Sequence, residues 1–136
     1  MNYRLGELFS GPGGLALGAS MASVDTGRGL ARFSHAWATD YDRDACDTFV
    51  RNIPGASPAS VRCADVKEVA FESLPAIDCL AFGFPCNDYS AVGEQLGLKG
   101  NFGPLYMHGV RALDVHRPMM LLAENVGDPS ELGGDR

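Results

Sequence analysis

Residues 7–18, "ELFSGPGGLALG", give the clearest indication of the fold. The apolar segment Tyr3–Phe9 is typical of a strand, and it runs into a turn that contains Gly11, Gly13 and Gly14. Small and apolar residues follow at 15–22, which favours a packed helix. Glycine lets the backbone take a positive φ and come close to a ligand, and a helix start offers free N–H groups. The turn therefore predicts a strand–turn–helix unit that either binds a ligand or only packs the strand against the helix.

The rest of the chain alternates strands with helices. Further strands are predicted at residues 33–39, 60–63, 77–82 and 119–123, and helices at 42–52 and 102–116. This alternation predicts an α/β fold in which a parallel sheet carries helices on both faces. Residues 23–33 and 87–101 show no clear pattern. With neither a repeat nor a linker, we expect one domain over residues 1–126 and a polar tail at 127–136.

Composition limits the function classes. The chain has 136 residues and a net charge of −6, which disfavours binding of nucleic acid by this chain alone. Apolar runs fall short of the ~20 residues of a membrane helix, and the N-terminus lacks a signal-peptide pattern. The four cysteines include no CxxC pair, which argues against a zinc site. We therefore expect a reduced, cytoplasmic protein without a membrane partner.

Acidic residues follow two of the predicted strands. In "WATDYD", Asp40 is placed to accept hydrogen bonds from ribose hydroxyls, and Tyr41 to stack on a base. Asp65 follows the next strand and suits an exocyclic amine. Each residue has a structural alternative: Asp40 as a helix cap, Tyr41 as edge packing, and Asp65 as a solvated turn residue. Together with the glycine turn, the three residues favour a pocket for a nucleoside.

A cysteine follows the fourth strand in "GFPCNDYS", residues 83–90. Pro85 makes the turn rigid, and Cys86 is either a small buried residue or a nucleophile aimed into a cleft. The fifth strand ends in "LLAENV", which carries Glu124 and Asn125. A carboxylate at the end of an apolar strand is costly to desolvate unless it has a partner or a role. The nucleophile interpretation gains support because all these strand ends fall on the ligand-binding edge of a parallel sheet.

The motifs "LFSGPGG", "TDYD", "ADV", "GFPCNDYS", "GPLY" and "ENV" follow one another in this order. In them the chain resembles the N-terminal part of the DNA cytosine-5 methyltransferases. The resemblance implies a Rossmann-like methyltransferase fold that is incomplete at its C-terminal side, with S-adenosylmethionine as cofactor and no metal. It implies a cofactor site made of Phe9, Gly11, Pro12, Gly14, Asp40, Tyr41, Asp65, Val66, Pro85 and Leu105.

The resemblance also implies a reaction. Cys86 would add to C6 of a cytosine that is flipped out of double-stranded DNA, so that C5 can accept a methyl group. Glu124 would hold N3 of the base, and Asn125 would fix Glu124 and the loop that carries the cysteine. Ser90 would contact the DNA backbone, and the loop 87–101 would close over the base. The remaining cysteines, Cys46, Cys63 and Cys79, are expected in the core.

The resemblance ends after "ENV". The family's target-recognition region and the late helix that closes the cofactor pocket have no counterpart in the sequence. We therefore expect a second polypeptide to supply them. Two alternatives stay open: methylation of cytosine in RNA, and a non-catalytic remnant that binds only cofactor or a partner protein.

Overall fold

The computed structural model describes residues 1–84 and 105–125. Its strands are β1 (Asn2–Leu8), β2 (Ser23–Asp25), β3 (Leu30–Asp40), β4 (Val61–Cys63), β5 (Cys79–Gly83) and β6 (Met120–Glu124). Its α-helices are α1 (Gly14–Met21), α2 (Arg43–Asn52) and α3 (Tyr106–His116). Two single-turn 3₁₀ helices, Val66–Glu68 and Phe71–Ser73, lie between β4 and β5.

The strands form one sheet in the order β2-β3-β1-β5-β6, and β4 also pairs with β3. The pairs β1–β3, β3–β4, β1–β5 and β5–β6 are parallel, which confirms the predicted α/β architecture. The sheet is mixed, however, because β2 pairs with β3 antiparallel. This hairpin accounts for the segment 23–33, whose exposed residues gave no pattern, and it makes β3 start at Leu30 rather than at Phe33.

Both faces of the sheet carry a hydrophobic core. On one face, α1 and α2 cover a cluster that includes Leu5, Ala16, Phe49 and Val61. On the other face, α3 and the 3₁₀ turns cover a cluster that includes Leu8, Trp37, Phe71 and Phe82. The predicted arrangement of helices on both faces is therefore confirmed.

Two close approaches of backbone to an aromatic ring fix these layers. A Cβ atom added at Gly6 would lie 2.5 Å from the Trp37 ring, and one added at Gly109 would lie 2.5 Å from the Phe82 ring. Gly6 thus leaves room for Trp37 between β1 and the 3₁₀ region, where the indole N–H donates to the Pro75 carbonyl. Gly109 lets α3 lie directly on β5.

The β6 side of the sheet is more open. Among the described residues β6 pairs only with β5, and it leaves Met119 71% and both Leu121 and Leu122 50% exposed. A groove of about 560 Å³ lies beside it, lined by apolar residues of α1, β5 and β6 such as Leu15, Ala22 and Met120. The sheet thus presents an apolar surface at β6.

At the amino end of the sheet, Arg4 and Asp78 form a two-pronged ion pair. The guanidinium Nε lies 3.0 Å from Oδ2, and its Nη2 lies 3.0 Å from Oδ1. The Arg4 backbone N–H also donates to Oδ2. These hydrogen bonds lower the pKa of Asp78 to about 2.

No helix among the described residues is long and apolar enough to cross a membrane.

Candidate active site at the carboxyl edge of the sheet

The carboxyl ends of five parallel strands meet at one edge. There β1 leads into the glycine turn, β3 ends at Asp40, β4 is followed by Asp65, β5 ends at Gly83, and β6 ends at Glu124. Open α/β sheets bind their ligands outside this edge. The glycine turn and the predicted carboxylates Asp40, Asp65 and Glu124 therefore lie at the same edge of the sheet.

Positive backbone angles shape the glycine turn. Gly11 has φ +53° and Gly13 has φ +100°, a region that strongly favours glycine. A Cβ at Gly13 would also lie 2.9 Å from Phe49 of α2 and from Ile53, which follows this helix, so the turn packs tightly against both side chains. Gly14 does not share this role, because it begins α1 and its added Cβ would meet no described atom within 4 Å.

Phe9 is the second unusual residue of this turn. It has φ +53°, which is rare for a bulky side chain, and it is half-buried against the core. Such strain tends to be kept where a ligand requires it. The N-terminus of α1 follows, and its N-cap residue Gly13 provides no side-chain hydrogen bond. The turn therefore brings both a strained apolar residue and a helix start to the site.

Asp40 ties two strand ends together. One carboxylate oxygen accepts the Gly11 N–H at 2.7 Å, and the other accepts the Asp42 N–H at 2.9 Å. The side chain that caps α2 is Asp42, which accepts from Ala45, so Asp40 is not the helix cap. Each carboxylate oxygen keeps a further lone pair. Asp40 thus fixes the glycine turn while keeping acceptor capacity for a ligand.

The three residues expected around an adenine differ in their environment. Tyr41 is 78% exposed, so its ring is not used for edge packing among the described residues. Asp65 is exposed, and its carboxylate caps the 3₁₀ turn by accepting the Lys67 N–H at 3.0 Å. Val66 is buried within the core cluster. Tyr41 and Asp65 can therefore reach a ligand, whereas Val66 packs into the core.

On the β5–β6 side, Glu124 and Asn125 lie against the end of β5. Glu124 pairs in register with Gly83, and a Cβ there would lie 3.1 Å from its carboxylate oxygen. The Asn125 amide donates to the Phe84 carbonyl at 3.1 Å. Leu105 packs half-buried on the same core as Phe84. The amide thus links the end of β6 to the segment that leads toward Cys86.

Several predicted residues lie outside the described part of the chain, namely Pro85, Cys86, Ser90 and the loop 87–101. The polar tail 127–136 also lies outside it, and the domain limits stay a prediction. Among the described cysteines, Cys46 and Cys79 are buried as expected. Cys63 is half-buried at the end of β4, where it packs against the core cluster that contains the other two.

Sequence reasoning missed Glu7. This carboxyl is 2% exposed in the middle of the sheet, and one of its oxygens has no hydrogen-bond partner among the described residues. Burial, with a smaller contribution from the Asp40 charge, raises the pKa of Glu7 to about 8, although the Ala16 N–H bond opposes the rise. The buried Glu7 carboxyl therefore lies close to the first turn of α1, which follows its strand. The available signal was an acidic residue inside an otherwise apolar strand.

Comparison with known proteins adds independent evidence. The profile of the C-5 cytosine-specific DNA methylase family matches residues 3–129. The chain is 52% identical over 134 residues to the type II methyltransferase M.BbvI of Brevibacillus brevis, covering 93% of this chain and 36% of that protein. It is 34% identical over 122 residues to M.NgoFVII of Neisseria gonorrhoeae, covering 88% of this chain and 29% of that protein.

The fold comparison agrees. The crystal structure of the S. pombe Dnmt2 methyltransferase superposes with a TM-score of 0.61 at 18% identity, covering 95% of this chain and 38% of that one. At this identity the match supports the fold alone. The chain spans about a third of the length of the proteins it resembles.

Proposed function

Because the chain belongs to the C-5 cytosine-specific DNA methylase family, we propose that it provides the cofactor-binding and catalytic part of a DNA cytosine-5 methyltransferase. One observation carries the proposal: the glycine turn, Asp40 and Glu124 lie at the carboxyl ends of β1, β3 and β6, at a single edge of the sheet. That edge is where a methyl donor and a base must meet.

The described residues fit S-adenosylmethionine. Gly11 leaves its surface open to a ligand, and Asp40 keeps lone pairs for the ribose hydroxyls. The exposed Tyr41 ring is available to stack on adenine, and Asp65 is available for its amine. The glycine turn carries no Lys or Arg, which suits a cofactor without phosphates. When bound, the cofactor supplies a methyl group on a positively charged sulfur.

The second part of the proposal concerns the base. Cytosine C5 is a poor nucleophile, and addition of the Cys86 thiolate to C6 gives C5 the electron density to accept a methyl group. The Glu124 carboxyl would hold the base at N3, where charge develops during addition. The Asn125–Phe84 hydrogen bond supports this assignment, because it joins the strand end of Glu124 to the residue two positions before Cys86.

The third part concerns completeness. The curated relatives are about three times as long as the matched region, and β6 presents an exposed apolar strand beside a groove of about 560 Å³. We infer that the part of the family's length outside the matched region covers β6 and supplies the surface that reads DNA. This also agrees with the charge of −6, because nucleic-acid binding depends on Lys and Arg.

A mechanism-based trap tests the proposal. The chain is co-expressed with the remaining two-thirds of the 52% identical relative, and the complex is incubated with S-adenosylmethionine and a duplex that contains 5-fluorocytosine. A covalent protein–DNA adduct is expected, because fluorine blocks release of the enzyme after methyl transfer. Cys86→Ser should abolish the adduct, whereas the matched variant Cys79→Ser should keep it. An adduct that survives Cys86→Ser would overturn the assignment.

A further inference from the structure

Two thiols meet beneath the segment that carries Asp40 and Tyr41. Cys46 lies in the first half of α2, and Cys63 is the last residue of β4. The Cys46 thiol donates to the Asp40 carbonyl at 3.5 Å, and the Cys63 thiol donates to the Tyr41 carbonyl at 3.8 Å. The two sulfurs thus bond to consecutive carbonyls of one short segment.

The two thiols are also neighbours, because they bond to consecutive carbonyls and line one cavity. Burial, and then the nearby Cys63 thiol, raise the pKa of the Cys46 thiol to about 12. The pairing of β3 with β4 fixes this proximity, because Asp40 is the register partner of Cys63 and its carbonyl also accepts the Ala64 N–H at 2.9 Å. The two cysteines are therefore held together by the sheet and by α2, rather than by a chance encounter of surface side chains.

The pair is accessible from one side. Both cysteines line a cavity of about 350 Å³, whose wall also includes Arg43 and Arg51. Cys63 is half-buried and reachable from the cavity, whereas Cys46 is 3% exposed. A small reagent in this cavity thus meets Cys63 first, with Cys46 behind it.

We propose that Cys46 and Cys63 form a dithiol site that low-molecular-weight disulfides convert to an intramolecular disulfide. The Cys63 thiolate attacks one sulfur of glutathione disulfide, which forms a mixed disulfide and releases one glutathione. Cys46 then loses its proton and attacks the Cys63 sulfur, which releases the second glutathione. The protein gives up two electrons and two protons, and glutathione disulfide is reduced to two thiols.

The cross-link acts on the cofactor segment. An S–S bond of about 2.05 Å is much shorter than a contact between two thiols, so its formation reorients both side chains, and the Asp40 carbonyl loses its thiol donor. The Tyr41 carbonyl also loses its thiol donor. We therefore expect a several-fold loss of cofactor affinity in the oxidised chain. This consequence rests on the proposed function, whereas the cross-link itself does not.

Peptide mapping tests the site. The 136-residue chain is incubated under native conditions with glutathione disulfide, alkylated, and digested with trypsin. Cleavage after arginine and lysine places Cys46 in peptide 44–51 and Cys63 in peptide 63–67. We expect these two peptides to be joined by a bond that a reductant cleaves. Alkylation of both peptides, or a persistent glutathione adduct on Cys63, would overturn the proposal.

Two variants establish the order of the steps. Cys46→Ser should leave glutathione attached to Cys63, because the resolving thiol is missing. Cys63→Ser should leave Cys46 unmodified, because Cys46 is buried behind it. Cys79→Ser, which removes another buried cysteine, should cross-link like the wild type. Calorimetry with S-adenosylmethionine then compares the reduced and oxidised chains, and equal affinity would refute the effect on the cofactor segment but not the cross-link.

Discussion

The two sides of the sheet differ in how well their apolar surfaces are covered. Around β1, β3 and β4, Phe49 of α2 is completely buried, and Asp40 at the end of β3 accepts the Gly11 N–H of the glycine turn. Around β6, Leu121 and Leu122 are each half exposed. The side proposed to hold the cofactor is therefore packed and preorganised by residues of this chain. The side proposed to bind the base exposes an apolar surface that another element can cover.

The largest effect is expected from a large-to-small change on the covered side. Phe49→Ala should lower the free energy of unfolding by about 3–5 kcal/mol, because the ring is fully buried against Gly13. That is a large share of the ~5–15 kcal/mol that stabilises a typical domain. Leu122→Ala on the open side should cost only about 1 kcal/mol, because half of the side chain is already exposed. Urea denaturation measures both, and equal losses would remove the contrast between the two sides.

Adjacent glycines give a second test of the covered side. Gly13→Ala places a Cβ at φ +100° and 2.9 Å from Phe49, so we expect a loss of about 1–3 kcal/mol in stability. The matched variant Gly14→Ala adds the same methyl group at the start of α1, where no described atom lies within 4 Å. Its stability should stay close to that of the wild type. If thermal denaturation shows the two variants to be equal, the packing described for the turn is incorrect.

Glu7 predicts a pH dependence. Its pKa is about 8 in the folded chain against an ordinary value of 4.5, so the unfolded state releases this proton at a lower pH than the folded state. Its contribution to stability therefore falls as the pH rises from about 5 to about 8 and is constant above that range. Glu7→Gln keeps an acceptor for the Ala16 N–H and removes the titration. The denaturation midpoint should change more between about pH 5 and about pH 8 in the wild type than in the variant. An equal change in the two proteins would contradict the assignment.

The smallest effect on stability is expected at the open side, where the change is in association. An exposed, apolar strand edge invites pairing with another chain, so the isolated chain should associate and should not methylate DNA. Leu121→Lys and Leu122→Lys add a charge at half-exposed positions and should reduce self-association with little change in melting temperature. Analytical ultracentrifugation measures this. A wild-type chain that sediments as a monomer and methylates DNA unaided would refute the inferred need for a cover on β6.

The covered side could be predicted well from the sequence, because its information is local. The glycine turn after β1 and the acidic residue after β3 each mark a strand end by themselves. The hairpin of β2 with β3 could not be predicted, because its residues are exposed and carry no hydrophobic alternation. The proximity of Cys46 and Cys63 was equally hidden, since it depends on the register of β4 against β3. Val66 was assigned to the cofactor site from the "ADV" motif, but its burial in the core depends on packing that the motif does not encode.

Binding of S-adenosylmethionine to the chain tests the central claim most directly. Asp40→Ala removes an acceptor for the ribose, and the loss of a hydrogen bond to a charged group costs about 1.5–3 kcal/mol, or roughly a tenfold to hundredfold weaker affinity. Asp44→Ala is the matched control, because this exposed carboxylate lies on α2 outside the proposed site. Isothermal titration calorimetry should show measurable binding by the wild type and by Asp44→Ala, and a clear loss in Asp40→Ala. Equal affinity of all three proteins would contradict the proposed cofactor site.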